Sequence, residues 1–215
     1  MKHKLQILGI IGCCMGVWLH QAAAATAFSN LGQTRVGSLP VASDSWRGEA
    51  FYTGTNAAGY VLKSVQLQLT AATGGPSGFK LSLYDANGVV PGNSLELLSG
   101  VEPSGSGVFT FQSSGLVLNP SRKYFVVATA STPLAAGAFQ WDLTSWIDQA
   151  NIFEFHAGGI LYSSPNGQAW YYTRPNNFMF AVNATIVPEP GTLALGLCGG
   201  VLGLAAREAG KRGRG

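Results

Sequence analysis

Between residues 50 and 184, apolar and polar positions alternate with a period of two, in short runs interrupted by turn residues. Val65-Gln66-Leu67-Gln68-Leu69 and Phe79-Lys80-Leu81-Ser82-Leu83 carry the alternation most cleanly, and this period places every second side chain on one face of a strand. The glycine-rich stretch Ala72 to Gly78 between them is read as the loop joining two antiparallel strands. Further strands are expected at Ala50 to Thr53, Val108 to Phe111, Tyr124 to Thr129, Ala138 to Leu143, Ile152 to Phe155, Ala169 to Thr173 and Phe178 to Ala184. No part of this region sustains a period of 3.6. The expectation is an all-β, antiparallel β-sandwich or jelly-roll-like domain over residues 28–186.

The two ends follow a different pattern. Lys2 and Lys4 precede the apolar run Leu5 to Leu19, and small residues follow at Ala22 to Ala25. This is the layout of a secretory signal peptide, assigned to residues 1–27 as an apolar helix, with cleavage options at Ala22-Ala23-Ala24 or Ala25-Thr26-Ala27. It implies the Sec translocon and signal peptidase as partners. At the other end Val187-Pro188-Glu189-Pro190 stands directly against an apolar span, Gly191 to Ala206, and a basic end containing Arg207, Lys211, Arg212 and Arg214. Sixteen helical residues reach about 24 Å, short of the ~30 Å hydrocarbon core. Five glycines weaken that helix further, at up to about 1 kcal/mol each. A short transmembrane helix over 191–206 is expected, with the cations held in the cytoplasm and Pro188, Glu189 and Pro190 on the outer face. The two prolines keep their neighbours out of the helical region, so the triplet is presented extended.

Separating these ends changes what the composition means. The chain has 13 Lys and Arg, 10 Asp and Glu, and a net charge of +3. Six of the cations and two of the acids lie in the ends, which leaves seven cations against eight acids between Phe28 and Val187. A nearly neutral domain offers no basic face for nucleic acid. Only 11% of the residues are charged, against about 25% in typical domains, so Ser, Thr, Asn and Gln must cover the solvent faces. Cys13, Cys14 and Cys198 all lie in the ends. The domain therefore has no disulfide, thiolate nucleophile or cysteine metal site, and no metal or cofactor is assigned.

Candidate chemistry in the domain is sparse. His156 is the sole histidine after the leader, read as a surface residue at a strand end, and no Ser/His/Asp constellation can be built without it. Asp142, Asp148 and Glu154 could in principle supply the paired acids of a glycosidase, but nothing selects a pair, and the domain is read as non-enzymatic. Asp85-Ala86-Asn87-Gly88 begins like a calcium loop, yet Gly88-Val89-Val90 lacks the remaining ligands, so Asn-Gly is read as a hairpin turn. Aromatics of the second half are the binding candidates, because sugar rings stack on exposed aromatic faces. Trp141 lies in an alternating strand and is assigned to the core, whereas Trp146, Trp170 and Tyr172 are the carbohydrate-binding candidates.

The Pro188-Glu189-Pro190 triplet, the apolar span and the arginine-containing end together resemble the PEP-CTERM sorting signal, over roughly the last 29 residues. The resemblance implies recognition by an exosortase-type membrane transpeptidase in a Gram-negative bacterium that makes exopolysaccharide. It also implies transient insertion in the inner membrane, processing near the motif, and delivery to the cell surface or extracellular matrix. Two features depart from the pattern: only Arg212 and Arg214 fall among the last four residues, and Arg207 stands apart. A second resemblance runs through Asn30-Leu31-Gly32, Ala50-Phe51-Tyr52-Thr53-Gly54, Tyr60 to Val65, Leu83-Tyr84-Asp85, Pro91-Gly92 and Lys123 to Val127, which is similar to the choice-of-anchor R domain. That family implies a β-rich extracellular module without an established activity. The expected role is structural or adhesive near exopolysaccharide; the alternatives are a carbohydrate-binding module and, behind it, a secreted glycan hydrolase.

Overall fold

The computed structural model describes residues 24–145, 153–173 and 176–188. Trp146, Asp148, Glu189, Pro190, Arg207, Lys211, Arg212 and Arg214 lie outside them, as do the expected span 191–206 and nearly all of the expected leader. Fourteen strands make up the described chain. They are β1 (Ala25–Ser29), β2 (Arg35–Val41), β3 (Trp46–Tyr52), β4 (Tyr60–Gly74), β5 (Lys80–Asn87), β6 (Val90–Gly100), β7 (Gly107–Gln112), β8 (Val117–Leu118), β9 (Lys123–Thr129), β10 (Gly137–Thr144), β11 (His156–Ser164), β12 (Tyr171–Thr173), β13 (Asn177–Phe178) and β14 (Phe180–Ile186). One turn of 3-10 helix, Leu134–Ala136, precedes β10. Among the described residues no helix is long and apolar enough to cross a membrane.

Hydrogen bonds join the strands in the order β1-β14-β4-β7-β6-β5-β9-β3-β11-β12, with β10 added beside β4 and β2 and β13 paired to β10. All pairings are antiparallel. Strand β6 passes from one half of this array to the other, because Val90 to Leu98 pair with β5 whereas Ser99 and Gly100 pair with β7. The inward faces of the two halves meet, and Phe51 of β3 lies 6.5 Å from Phe180 of β14. Leu62, Val65, Leu67 and Val182 from one half and Leu81, Leu83 and Val126 from the other fill the same core. Each fully buried side chain of this size contributes about 1.5–3 kcal/mol. Trp141 is fully buried in this core, stacked 4.1 Å from Phe178, with its indole N–H donated to the Met179 carbonyl at 2.9 Å.

Several expectations require correction. Val65-Leu69 and Phe79-Leu83 do not form a hairpin. Strand β4 pairs with β14, β7, β8 and β10, and β5 with β6 and β9. Left-handed glycines at Gly74 (φ 65°) and Gly78 (φ 68°) bend the chain from one half to the other, a backbone region that glycine enters without cost. The strand expected at Ile152–Phe155 is absent from its described part. Glu154 has φ 60°, which breaks the extended run, and the strand begins at His156 instead. The Asn-Gly turn does form a hairpin: Asn87 faces Val90 across the two-residue loop Gly88-Val89, with Gly88 at φ 62°.

Candidate functional site

The C-terminal end of β3 and the strands on either side of it build a groove. Tyr52 pairs with Lys123 of β9 on one side and with His156 of β11 on the other. Their side chains form a row across the sheet: the Tyr52 and His156 rings stack at 4.6 Å and 8°, and the Lys123 ammonium sits 5.7 Å from the centre of the Tyr52 ring. Two adjoining hollows, of about 610 and 420 Å³, open beside this row and share Tyr52 and Ser121. Asp85, Asn119 and Arg122 line the first, and Thr55, Glu154 and His156 the second.

Two segments fix the groove's shape, and one buried hydroxyl holds one of them. Thr53 donates its Oγ1 hydrogen to the Asn119 carbonyl at 2.7 Å, and the same oxygen accepts the Arg122 N–H at 2.9 Å. Its backbone N–H bonds the Arg122 carbonyl, and the Ser121 N–H bonds the Gly54 carbonyl at 2.7 Å. This network holds Ser121 at φ 52°. The other segment is secured through Glu154, whose Oε2 accepts the Thr55 hydroxyl at 2.6 Å and the Thr55 N–H at 3.2 Å. Ser121 and Glu154 are the non-glycine residues with positive φ among the described residues, and both line the groove. Such conformations cost on the order of 1–3 kcal/mol and collect at functional sites. Gly54 closes the arrangement: a Cβ there would collide with the Phe153 carbonyl.

Charge in the groove is unevenly committed. Asp85 accepts the Asn93 N–H at Oδ1 and the Asn93 amide at Oδ2, and Glu154 is held by Thr55. The Arg122 side chain is exposed and has no partner among the described residues. Lys123 donates to the Val89 carbonyl at 3.3 Å and lies 4.9 Å above the Phe125 ring. Burial pushes its ammonium below the ordinary lysine range, and the charge of Glu49 opposes that shift. The acids are thus tied into the fold, whereas the Arg122 guanidinium points to solvent as a donor for an anionic ligand.

Of the carbohydrate candidates named from sequence, the two among the described residues, Trp170 and Tyr172, do not converge here. Trp170 is half-buried against Ala50, Phe125 and Val127 on the outer face of the β3–β9 sheet, alongside Trp46 and Tyr84. Tyr172 lies in β12 at the far edge of that sheet and is 62% exposed. Of the three acids considered for glycosidase chemistry, Asp142 is buried in an ion pair with Arg35 at 2.8 Å and Glu154 is latched to Thr55. Pro188 is exposed, just past the last strand. Among the described residues no group of three metal-ligating side chains occurs.

Sequence reasoning missed the Tyr52–Lys123–His156 row because its members come from three strands brought together by register alone. The one local signal was Asn119-Pro120-Ser121, a turn sequence that gave no sign of its contact with Thr53. No family model, curated protein or solved structure matches the chain.

Proposed function

We propose that this is an exported protein with a jelly-roll-like β-sandwich domain, sorted through its C-terminal end by an exosortase-type membrane transpeptidase. Its place is the cell surface or extracellular matrix of a Gram-negative bacterium, and its role is adhesive, through contact with exopolysaccharide. The observation that carries this reading is where the fold stops. Strand β14 ends at Ile186, and the Val187 N–H bonds the Gly59 carbonyl at 3.1 Å. Pro188 is exposed just past it, and Glu189 and Pro190 come next in the sequence with no linker between, a spacing that suits capture of the triplet by a membrane enzyme. The apolar span and Arg207, Lys211, Arg212 and Arg214 would hold it at the bilayer.

The groove supplies the adhesive contact. It combines aromatic side chains, hydroxyl and amide groups, and an uncommitted guanidinium, a set suited to a polyhydroxylated ligand that carries carboxylates. Trp170 and Tyr172 supply further aromatic surface on the same sheet. No catalytic role is assigned to Glu154, whose carboxylate serves as a latch. Scrambling Pro188-Glu189-Pro190 in the native host tests the sorting reading. Retention of the full-length chain in the inner membrane is expected, and unchanged surface delivery contradicts it.

A further inference from the structure

We propose that the exported chain is cut between Ala24 and Ala25, so that the mature protein begins with the first residue of β1; the proposal rests on the export reading above. Two triplets, Ala22-Ala23-Ala24 and Ala25-Thr26-Ala27, offer a signal peptidase the small side chains it reads just before the scissile bond. Composition does not separate them. The fold does.

Strand β1 is part of the sheet. Ala25 pairs with Ala184, Thr26 with Asn183, Phe28 with Val182 and Ser29 with Ala181. The Thr26 hydroxyl donates to Asn183 Oδ1 at 2.9 Å. Ala27 and Phe28 are fully buried, and the Phe28 ring lies 4.9 Å from that of Phe180. A cut after Ala27 would remove two of the ladder pairs, the Thr26–Asn183 bond and the buried Ala27 methyl. A cut after Ala24 costs the sheet nothing, because Ala24 is exposed and precedes the first pair.

Accessibility favours the same bond. A protease needs its substrate extended and unpaired, and such backbone is found at exposed termini rather than within a ladder. The Ala24–Ala25 peptide lies at the sheet's margin and stays reachable as the domain folds, whereas the Ala27–Phe28 bond disappears into the sheet. In the reaction, water adds across the Ala24–Ala25 amide. The leader leaves with the Ala24 carboxylate, and the domain keeps Ala25 as its α-ammonium.

The test is N-terminal sequencing and intact mass of the full chain after export in a Gram-negative host. Ala25 as first residue is expected. An exported protein that starts at Phe28, or at any other residue, overturns the assignment while leaving the export reading intact. A cytoplasmic chain that keeps Met1 and the whole leader overturns the export reading itself, and its location tells the two failures apart. With Ala24→Leu, the precursor is expected to accumulate in a pulse-chase, and with Ala24→Gly processing is expected to return. Cleavage of the Ala24→Leu chain at the normal rate contradicts the proposal.

Discussion

Thr53 holds one side of the groove through a single hydroxyl that donates to Asn119 and accepts from Arg122. Thr53→Val removes that hydroxyl and leaves the Arg122 N–H without the Thr53 Oγ1 acceptor, so a loss of about 1–3 kcal/mol is expected in denaturant unfolding. Gly54→Ala drives a methyl into the Phe153 carbonyl, and an overpacking cost of about 1–3 kcal/mol follows. Arg122→Ala addresses binding rather than folding. Its exposed side chain has no partner among the described residues, so stability should hold while affinity for a uronic-acid polysaccharide falls about tenfold, the scale of one charge-assisted hydrogen bond. Calorimetric titration checks the affinity, and denaturant unfolding checks the stability. At this scale the sequence was informative where one strand's alternation decides a residue's fate, as for Trp141. It was silent about Tyr52, Lys123 and His156, whose meeting depends on pairing among distant strands.

At the level of elements, the legible strands were those with one buried and one solvated face. Strand β6 lacked this signal because it is mostly exposed and contains Pro91 and Gly92, so no apolar period is imposed on it. Among the described residues strand β2 pairs only with β10, and an edge position of this kind tolerates Pro40. The length of β4, and hence its partners, was hidden because its final residues, Ala71 to Gly74, are exposed. Strand β6 also carries a pH-dependent tie. Burial alone would raise the Glu96 pKa, but hydrogen bonds from Ser114 and Ser113 outweigh it and hold the carboxylate below its ordinary range. A folded-state pKa below the unfolded value means the contribution is present at neutral pH and is lost as pH falls through the folded value. Glu96→Gln should therefore flatten the acid limb of the stability curve below the ordinary carboxylate range and leave the slope near neutrality unchanged. Phe28→Ala probes β1: about 3–5 kcal/mol should be lost, in keeping with a first strand that belongs to the folded domain.

On the scale of the whole molecule, both chain ends leave the domain at one end of the sheet. Ala25 pairs with Ala184, and β14 runs on to pair Ile186 with Tyr60 before Val187 bonds Gly59. The loop Thr53–Gly59 has the groove at its beginning and the tail exit at its close. Three residues separate Val187 from the expected membrane span, a reach of about 14 Å at most. A chain still anchored by its tail would therefore present the groove toward the bilayer, and release would open it to long polysaccharides. Polysaccharide retention by the released form should exceed that of the same protein held in vesicles, with Arg122→Ala weakening both. The order of leader, β domain and tail is an expectation from the sequence, whereas the register of β1, β14 and β4 places both ends of the described domain beside the groove.

The most direct measurement is the intact mass of the protein recovered from the surface of its own host. The account predicts a single species that begins at Ala25, ends close to Glu189 and lacks residues 191–215. A surface species that keeps the apolar span and the arginines would contradict it.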